Sequence, residues 1–466
     1  MNMPMKALSL SILSAFVIAA CGEKPAPPPP PVQTPPPTPP LVIKLGFAAP
    51  LTGAQAQLGI DNKNGALLAI QDANAKKLKI GGRDIVFELV SEDDQGDPKQ
   101  GLVVAQKLVD AKVNGVIGHL DSDTTIAASK IYSDAGLPQV SPSAANPAFT
   151  QQGFKTAFRV AANDEQQAKA LGDYAVKQLA AKRIAIVNDK SAYGEGLAKE
   201  FKKVVEAAGV KVVAFENADD KAVKSVLAKI KSKRADVIFY GGMEILAAPL
   251  AMQMSKTKLT AKLLMGDGGC TTEFLKAAGE AAEGAFCSLP GVPLEKMAGG
   301  AAFKDKYKAK FNDDSKLFAP YAYDAVMILA EAMKRANAVE PTKYLAELSK
   351  MDYAGLTARI VFDEKGDLKD GAVSFYQFKG GNKEFLETLG GTQPEPAPAP
   401  AAAPAPGTPA GTPAAPAAVP GTAAAPAPAS APAATPAAAS APATAPAPAP
   451  APAAPTPIPA KPAEKK

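Results

Sequence analysis

The residues able to do chemistry are few, and their spacing assigns most of them elsewhere. The one histidine, His119, ends an apolar run, Val116-Ile117-Gly118-His119-Leu120, with no His/Cys cluster to complete a metal site or a catalytic dyad. Ser255-Lys256-Thr257-Lys258 has the S-x-x-K spacing of an acyl-transfer nucleophile, but it sits in a basic stretch suited to solvent. Gly46, Gly53 and Gly59 lack the G-x-G-x-x-G spacing that a dinucleotide needs at a helix start, and neither a P-loop nor a G-x-S-x-G elbow occurs. The acidic group Glu92-Asp93-Asp94 with Asp97 lacks EF-hand spacing and reads as a polar loop. No enzyme activity, metal or cofactor is expected.

The cysteines and the two ends place the chain. Lys6 gives a small positive region, and Ala7 to Val17 form an apolar stretch too short for a spanning helix. Val17-Ile18-Ala19-Ala20-Cys21 puts small residues directly before a cysteine, as in the lipobox of bacterial lipoproteins. Residues 1–20 are therefore expected to be a signal peptide and Cys21 the lipidated N-terminus of an exported, membrane-anchored periplasmic protein. A Pro-rich tether, 21–41, follows, and residues 391–466 form an Ala/Pro/Thr-rich tail; both lack the bulky side chains needed to offset ordering entropy. The two other cysteines, Cys270 and Cys287, belong to a chain routed to an oxidising space and are expected to form a disulfide. Lys and Arg number 51 against 46 Asp and Glu, a net charge of +5 with both signs interspersed, which gives no nucleic-acid footprint.

Between these ends, strand-like apolar runs alternate with helical patterns. Val42–Ala48 precedes a helix near Asn64–Ala75, Ile85–Val90 precedes Pro98–Ala111, and Val116–Leu120 leads to Thr124–Asp134 and then Leu137–Val140. A second series starts at Ala157–Val160 and runs through helices at 164–181, 195–208, 221–231 and 244–256, with strands between them, to Leu263–Met265. Short β-branched runs between amphipathic helices indicate parallel strands covered on both faces, so the fold class is α/β with two doubly wound lobes. Ligands are expected at the carboxyl ends of the strands. After Leu289 the rhythm changes to helices near Ala301–Lys310 and Tyr321–Ala336 and two strands, Ala358–Phe362 and Val373–Phe378. These late elements must pack on the earlier lobes, which makes the domains discontinuous and puts several crossovers at a hinge.

With these residues laid out, 42–390 resembles the leucine/isoleucine/valine-binding proteins of branched-chain amino-acid ABC importers. The similarity is carried by Asp93-Asp94-Gln95-Gly96-Asp97-Pro98-Lys99-Gln100, by Val116 to Leu120, by Ile131-Tyr132 and by Ile184 to Ala198. Tyr240-Gly241-Gly242, Ala282-Glu283-Gly284, Tyr321-Ala322-Tyr323-Asp324 and Asp363 to Lys369 continue it in order. The resemblance implies the type I periplasmic-binding-protein fold, two parallel-sheet lobes joined by a multi-strand hinge. Lobe I is expected to comprise 42–162 with 291–360, and lobe II 163–290 with 361–390.

It also implies a ligand site. Ser122, opening a helix, would hold a ligand carboxylate with hydroxyl and backbone N–H groups, and Ser143 would offer its carbonyl to an ammonium. Tyr193 matches a tyrosine that closes over the ligand, Asp267 the acid that pairs its ammonium, and Phe318 a wall of the side-chain pocket. Leu120 and Ala144 complete the lining. Ala145 stands where the family has a carboxylate-binding threonine, and Leu58 and Met243 stand where it has tyrosines. Asp121 and Asp123 flank Ser122, and the family's first-lobe disulfide is absent at both of its positions, Gly96 and Asp121. The role implied is a solute-binding protein that captures an amino acid or close analogue and hands it to the membrane subunits of an ABC importer. A receptor for amides, urea or other small acids, and an envelope scaffold or sensor lipoprotein, remain as alternatives.

Overall fold

The computed structural model describes residues 39–391. The leader, Cys21, most of the tether and the tail beyond 391 lie outside the described residues. Strand and helix alternate first as β1 (Leu41–Ala49), α1 (Ala56–Ala75), β2 (Lys79–Ile80), β3 (Arg83–Asp93), α2 (Pro98–Asp110), β4 (Val116–Gly118), α3 (Ser122–Asp134), β5 (Gln139–Ser141), α4 (Ala148–Gln151) and β6 (Ala157–Arg159). These six strands form one sheet in the order β2-β3-β1-β4-β5-β6, parallel except for β2. The apolar run 157–160, which opens the second series in the sequence, thus closes the first sheet, because its partner is β5.

The second series is α5 (Asp164–Lys177), β7 (Arg183–Asn188), α6 (Ala192–Ala207), β8 (Lys211–Asn217), α7 (Val223–Lys233), β9 (Val237–Gly241), α8 (Glu244–Lys256), β10 (Lys262–Met265), α9 (Thr272–Ala278) and β11 (Phe286–Pro290). The chain then makes α10 (Gly300–Phe311), α11 (Ala319–Ala336), α12 (Pro341–Ser349), β12 (Asp352–Ala354), β13 (Arg359–Val361), β14 (Val373–Lys379) and β15 (Asn382–Leu389). The second sheet runs β15-β14-β11-β10-β9-β7-β8; β7 to β11 are parallel, while β14 and β15 add antiparallel to its edge.

Each sheet is buried on both faces, as its near-continuous apolar strands require. Ile43, Leu45, Phe47 and Phe87 pack with Ala66, Ala69, Val326 and Leu329 of α1 and α11, while Val116 on the other side meets Val104, Leu108 and Tyr132. In the second sheet Phe239 stacks on Phe201 of α6 at 3.9 Å between centroids, and Tyr240 faces Leu250, Leu227 and Phe274. The chain passes between the two sheets three times: from β6 to α5, from β11 to α10, and from β13 to β14.

A buried cation fastens the first and third of these passages. Arg159 Nε donates to Asp367 Oδ1 at 2.8 Å, and its Nη atoms donate to the carbonyls of Ala144 and Asn146 and to Thr150 Oγ1. Asp367 Oδ2 in turn accepts from Thr150 Oγ1 and from Asn163 Nδ2. A planar guanidinium with five fixed donors suits this role where a lysine would not.

Candidate functional site

In both sheets the strand order reverses around one strand: β1 lies between β3 and β4, and β7 lies between β8 and β9. Crevices form outside the carboxyl ends of strands at such reversals. One cavity of about 140 Å³ collects the loops that leave β1, β4 and β5 on one wall and β7, β9 and β10 on the other.

The first wall is built on the start of α3. Ser122 is its first residue and is buried; its Oγ accepts from Asn146 N–H at 3.2 Å, leaving the hydroxyl hydrogen free to turn toward the cavity. Ser143 Oγ donates to the Leu120 carbonyl at 2.8 Å, and Ser141 Oγ accepts from Ala144 N–H, so the segment 143–145 is pinned beside α3. Ala144 and Ala145 are buried there, with Leu58 and Leu120 completing the apolar part. Phe318 is set by a buried carboxylate of α1, 257 residues away in sequence. Asp61 accepts from the backbone N–H of Lys316, Phe318 and Ala319 and from Tyr307 Oη, capping the start of α11. Burial nevertheless raises the Asp61 carboxyl above its ordinary value.

The second wall carries an aromatic–acid pair. Tyr193 Oη donates to Asp267 Oδ1 at 2.7 Å and accepts from Gly268 N–H at 3.1 Å. Ser191 caps α6 by accepting from Gly194 N–H, which aims Tyr193 inward, and Met243 N–H donates to Asp189 at 2.9 Å ahead of α8. Burial raises the Asp267 carboxyl. Behind it Asp164, fully buried at the start of α5, has no hydrogen-bond partner on either oxygen among the described residues. Burial, with the Asp267 charge beside it, pushes its carboxyl well above the ordinary carboxylate range.

The walls touch through Asp123, whose two oxygens accept from Ala192 N–H at 3.1 and 3.0 Å, and through Asn146 Nδ2, which donates to the Ala192 carbonyl. Asp121 Oδ1 accepts from Gln55 Nε2 at 2.8 Å. Burial, with the charge of Asp94, raises the Asp121 carboxyl to about 7.

All eleven residues expected from the sequence to meet a ligand line this one cavity: Leu58, Leu120, Asp121, Ser122, Ser143, Ala144, Ala145, Tyr193, Met243, Asp267 and Phe318. Gln55, Gly96, Asp123, Ser191, Gly268, Thr271 and Leu317 also line it and were not among those expected. Ser191 and Thr271 carried a usable signal, since each is a hydroxyl residue directly before a helix, the place of an N-cap. Cys270 and Cys287 are bonded, Cα to Cα 5.3 Å apart, tying the Asp267 loop to β11. His119 is fully buried between Asp94 Oδ2 at 2.6 Å and Tyr132 Oη at 3.0 Å, a structural bracket behind the first wall.

The chain is similar to known proteins over most of its length. The family model described as periplasmic binding protein covers residues 42–383. A Pseudomonas aeruginosa protein named leucine-, isoleucine-, valine-, threonine-, and alanine-binding protein is 36% identical over 339 residues, 72% of this chain and 90% of that one. The Leu/Ile/Val-binding protein homolog 1 of Brucella abortus is 33% identical over 345 residues, covering 73% and 91%. Among solved structures, the branched-chain amino acid transporter substrate binding protein of Streptococcus pneumoniae, in complex with isoleucine, superposes with a TM-score of 0.67 at 28% identity, covering 75% of this chain and 100% of that one.

Proposed function

From the periplasmic binding protein family, to which this chain belongs, we propose that it captures an α-amino acid between two lobes and presents it to an ABC importer. Lobe I comprises 42–162 with 291–360 and lobe II 163–290 with 361–390, a division supported by sheet membership. The observation that carries the reading is the pairing, across one cavity, of Tyr193 and Asp267 with the start of α3 and the 143–145 backbone. An amino acid carries two opposite charges about one carbon apart, and both lose water on enclosure. Asp267, held by Tyr193, receives the ammonium; Ser122 Oγ and the α3 N-terminus receive the carboxylate. The second half of the role, delivery, is supported by the named relatives, which are binding proteins of branched-chain amino acids or of their transporters.

The protein is further proposed to be exported and bound to the membrane through a lipid on Cys21, a reading supported by the Ile18-Ala19-Ala20-Cys21 run. Intact mass of the detergent-extracted protein should begin at Cys21 with diacylglycerol attached; a chain starting elsewhere, or an unmodified Cys21, excludes the anchor. For the ligand, a thermal-shift screen with the twenty amino acids should raise the melting temperature for a small subset. No shift and no heat of binding with any of them would refute amino-acid capture.

A further inference from the structure

We propose that the end of the second sheet opposite the cleft is a docking face for an anionic phospholipid bilayer. The export and anchoring proposed above supply its setting, while the binding itself is tested without the anchor.

Charges interspersed along the sequence are sorted by the fold at this end. β7 to β10 run parallel, so their amino ends gather on the side away from the cleft, where α7 and α8 also finish. Lys182 and Arg183 stand at the start of β7, Lys211 at that of β8 and Lys262 at that of β10. Lys231, Lys233 and Arg234 mark the end of α7, and Lys256 and Lys258 that of α8. Hydrogen bonds join these positions. Lys211 N–H donates to the Lys182 carbonyl, Lys262 N–H to the Asp236 carbonyl, and Lys231 Nζ to the Thr257 carbonyl at 3.0 Å. Arg183 Nε donates to the carbonyls of Lys233 and Arg234, each at 3.2 Å, which fixes the end of α7 against β7. The cations thus form one continuous patch, all exposed except half-buried Arg183.

On the helices of the same sheet, Lys199, Lys202 and Lys229 pair with Glu195, Glu206 and Glu216. Not one cation of the patch forms an ion pair among the described residues. Asp236, the carboxylate in their midst, accepts from the backbone N–H groups of Lys182 and Arg183 instead. The helix ends explain part of the pattern, because a helix dipole favours cations there. Lys182, Lys211 and Lys262 stand before strands, whose net dipole is small. Like charges repel, so the cluster costs stability until an anionic partner covers it. Most of it is lysine, whose hydrated point charges, spread over several elements, suit an array of mobile headgroup phosphates. A single shaped anion site calls for arginine forks instead. Met252, exposed one turn before Lys256, adds an apolar contact that lipid can use and a soluble polyanion cannot.

The chain from Gly22 onward, without leader or lipid, should cosediment with vesicles of phosphatidylglycerol and phosphatidylcholine at low salt. It should be released at about 0.5 M salt, as the screening length shrinks, and should ignore vesicles of phosphatidylcholine alone. Each cation near an anionic surface adds about fivefold to partitioning, so Lys233→Gln with Lys256→Gln and Lys262→Gln should weaken it about a hundredfold. Lys306→Gln with Lys308→Gln and Lys343→Gln removes exposed, ion-paired lysines of α10 and α12 and lowers the net charge equally. That variant should lose no more than a few-fold. Equal losses in the two triple variants, or no salt-released binding to the anionic vesicles, overturn the proposal. Patch-dependent binding of polyphosphate that displaces the vesicles identifies a soluble partner and overturns it as well. None of these outcomes bears on the lipid at Cys21, which intact mass tests separately.

Discussion

Two loops that reach the cleft, one in each lobe, are fastened by different chemistry. In the second lobe the loop after β10, which carries Asp267 and Gly268, is tied covalently by Cys270–Cys287 to the neighbouring strand. In the first lobe the loop after β3 is held by polar contacts alone. Asp93 accepts from Leu51 N–H, Thr52 Oγ1 and Gln95 N–H; Asp94 bridges Gly96 N–H to buried His119; Gln55 reaches Asp121. A covalent tie holds its loop whether or not a ligand is present, and it answers to reductant. A polar tie depends on every partner and on protonation, so the first wall should be the more sensitive to pH and to single substitutions.

The largest way to break this contrast is His119→Phe. It leaves Asp94 buried without its ring partner, and losing one member of a buried pair costs about 3–5 kcal/mol. Urea unfolding should show that loss, whereas a change under about 1 kcal/mol would mean the bracket is dispensable. The covalent side is tested by Cys270→Ser with Cys287→Ser. A sequence separation of 17 corresponds to about 3 kcal/mol in the chain-entropy model, and ligand affinity should fall with stability because the Asp267 loop is released. Equal affinity in the double variant would uncouple the bond from the site.

Protonation gives a smaller effect spread over several pH units. Burial and the Asp94 charge raise Asp121 to about 7 from an ordinary 3.8, with Asp123 and Glu244 adding to the repulsion from α3 and α8. The folded protein therefore keeps a proton that the unfolded chain releases. Stability should fall as pH rises from about 4 to about 7 and then level off, and Asp121→Asn should flatten that fall. The difference between the two unfolding profiles isolates Asp121 from the other raised carboxyls; identical slopes would contradict the assignment. Smallest is Gln55→Ala, which removes one hydrogen bond to Asp121 and should cost about 1 kcal/mol with a further rise in the Asp121 pKa. An NMR titration of the Asp121 carboxyl checks it.

The contrast also explains what the sequence could tell. The alternation of apolar runs located nearly every parallel strand, because strands buried on both faces are apolar throughout. β15 was missed, since Lys383, Glu384 and Glu387 on an exposed edge give no such run. α12 was missed because only Tyr344 and Leu348, one turn apart, are buried in it. α1 starts two turns before the expected Asn64. Its front holds buried Asp61 and Asn62, which interrupt the apolar stripe although Asp61 is what caps α11. Ser122, Tyr193 and Asp267 were legible through resemblance, since nothing in their local spacing distinguishes a ligand contact from a helix cap. Arg159 with Asp367 was not legible at all: the partners are 208 residues apart, and only the folded chain brings them together.

The proposed capture of an amino acid turns most directly on Asp267 receiving its ammonium. Calorimetry can compare one bound amino acid with its 2-hydroxy acid analogue, which keeps the carboxylate and side chain but lacks the ammonium. Truncating one partner of a buried, hydrogen-bonded charge pair costs about 2–5 kcal/mol, so the wild type should prefer the amino acid by roughly thirtyfold to several thousandfold. In Asp267→Ala that preference should shrink to a few-fold. An undiminished preference in the variant would contradict the account.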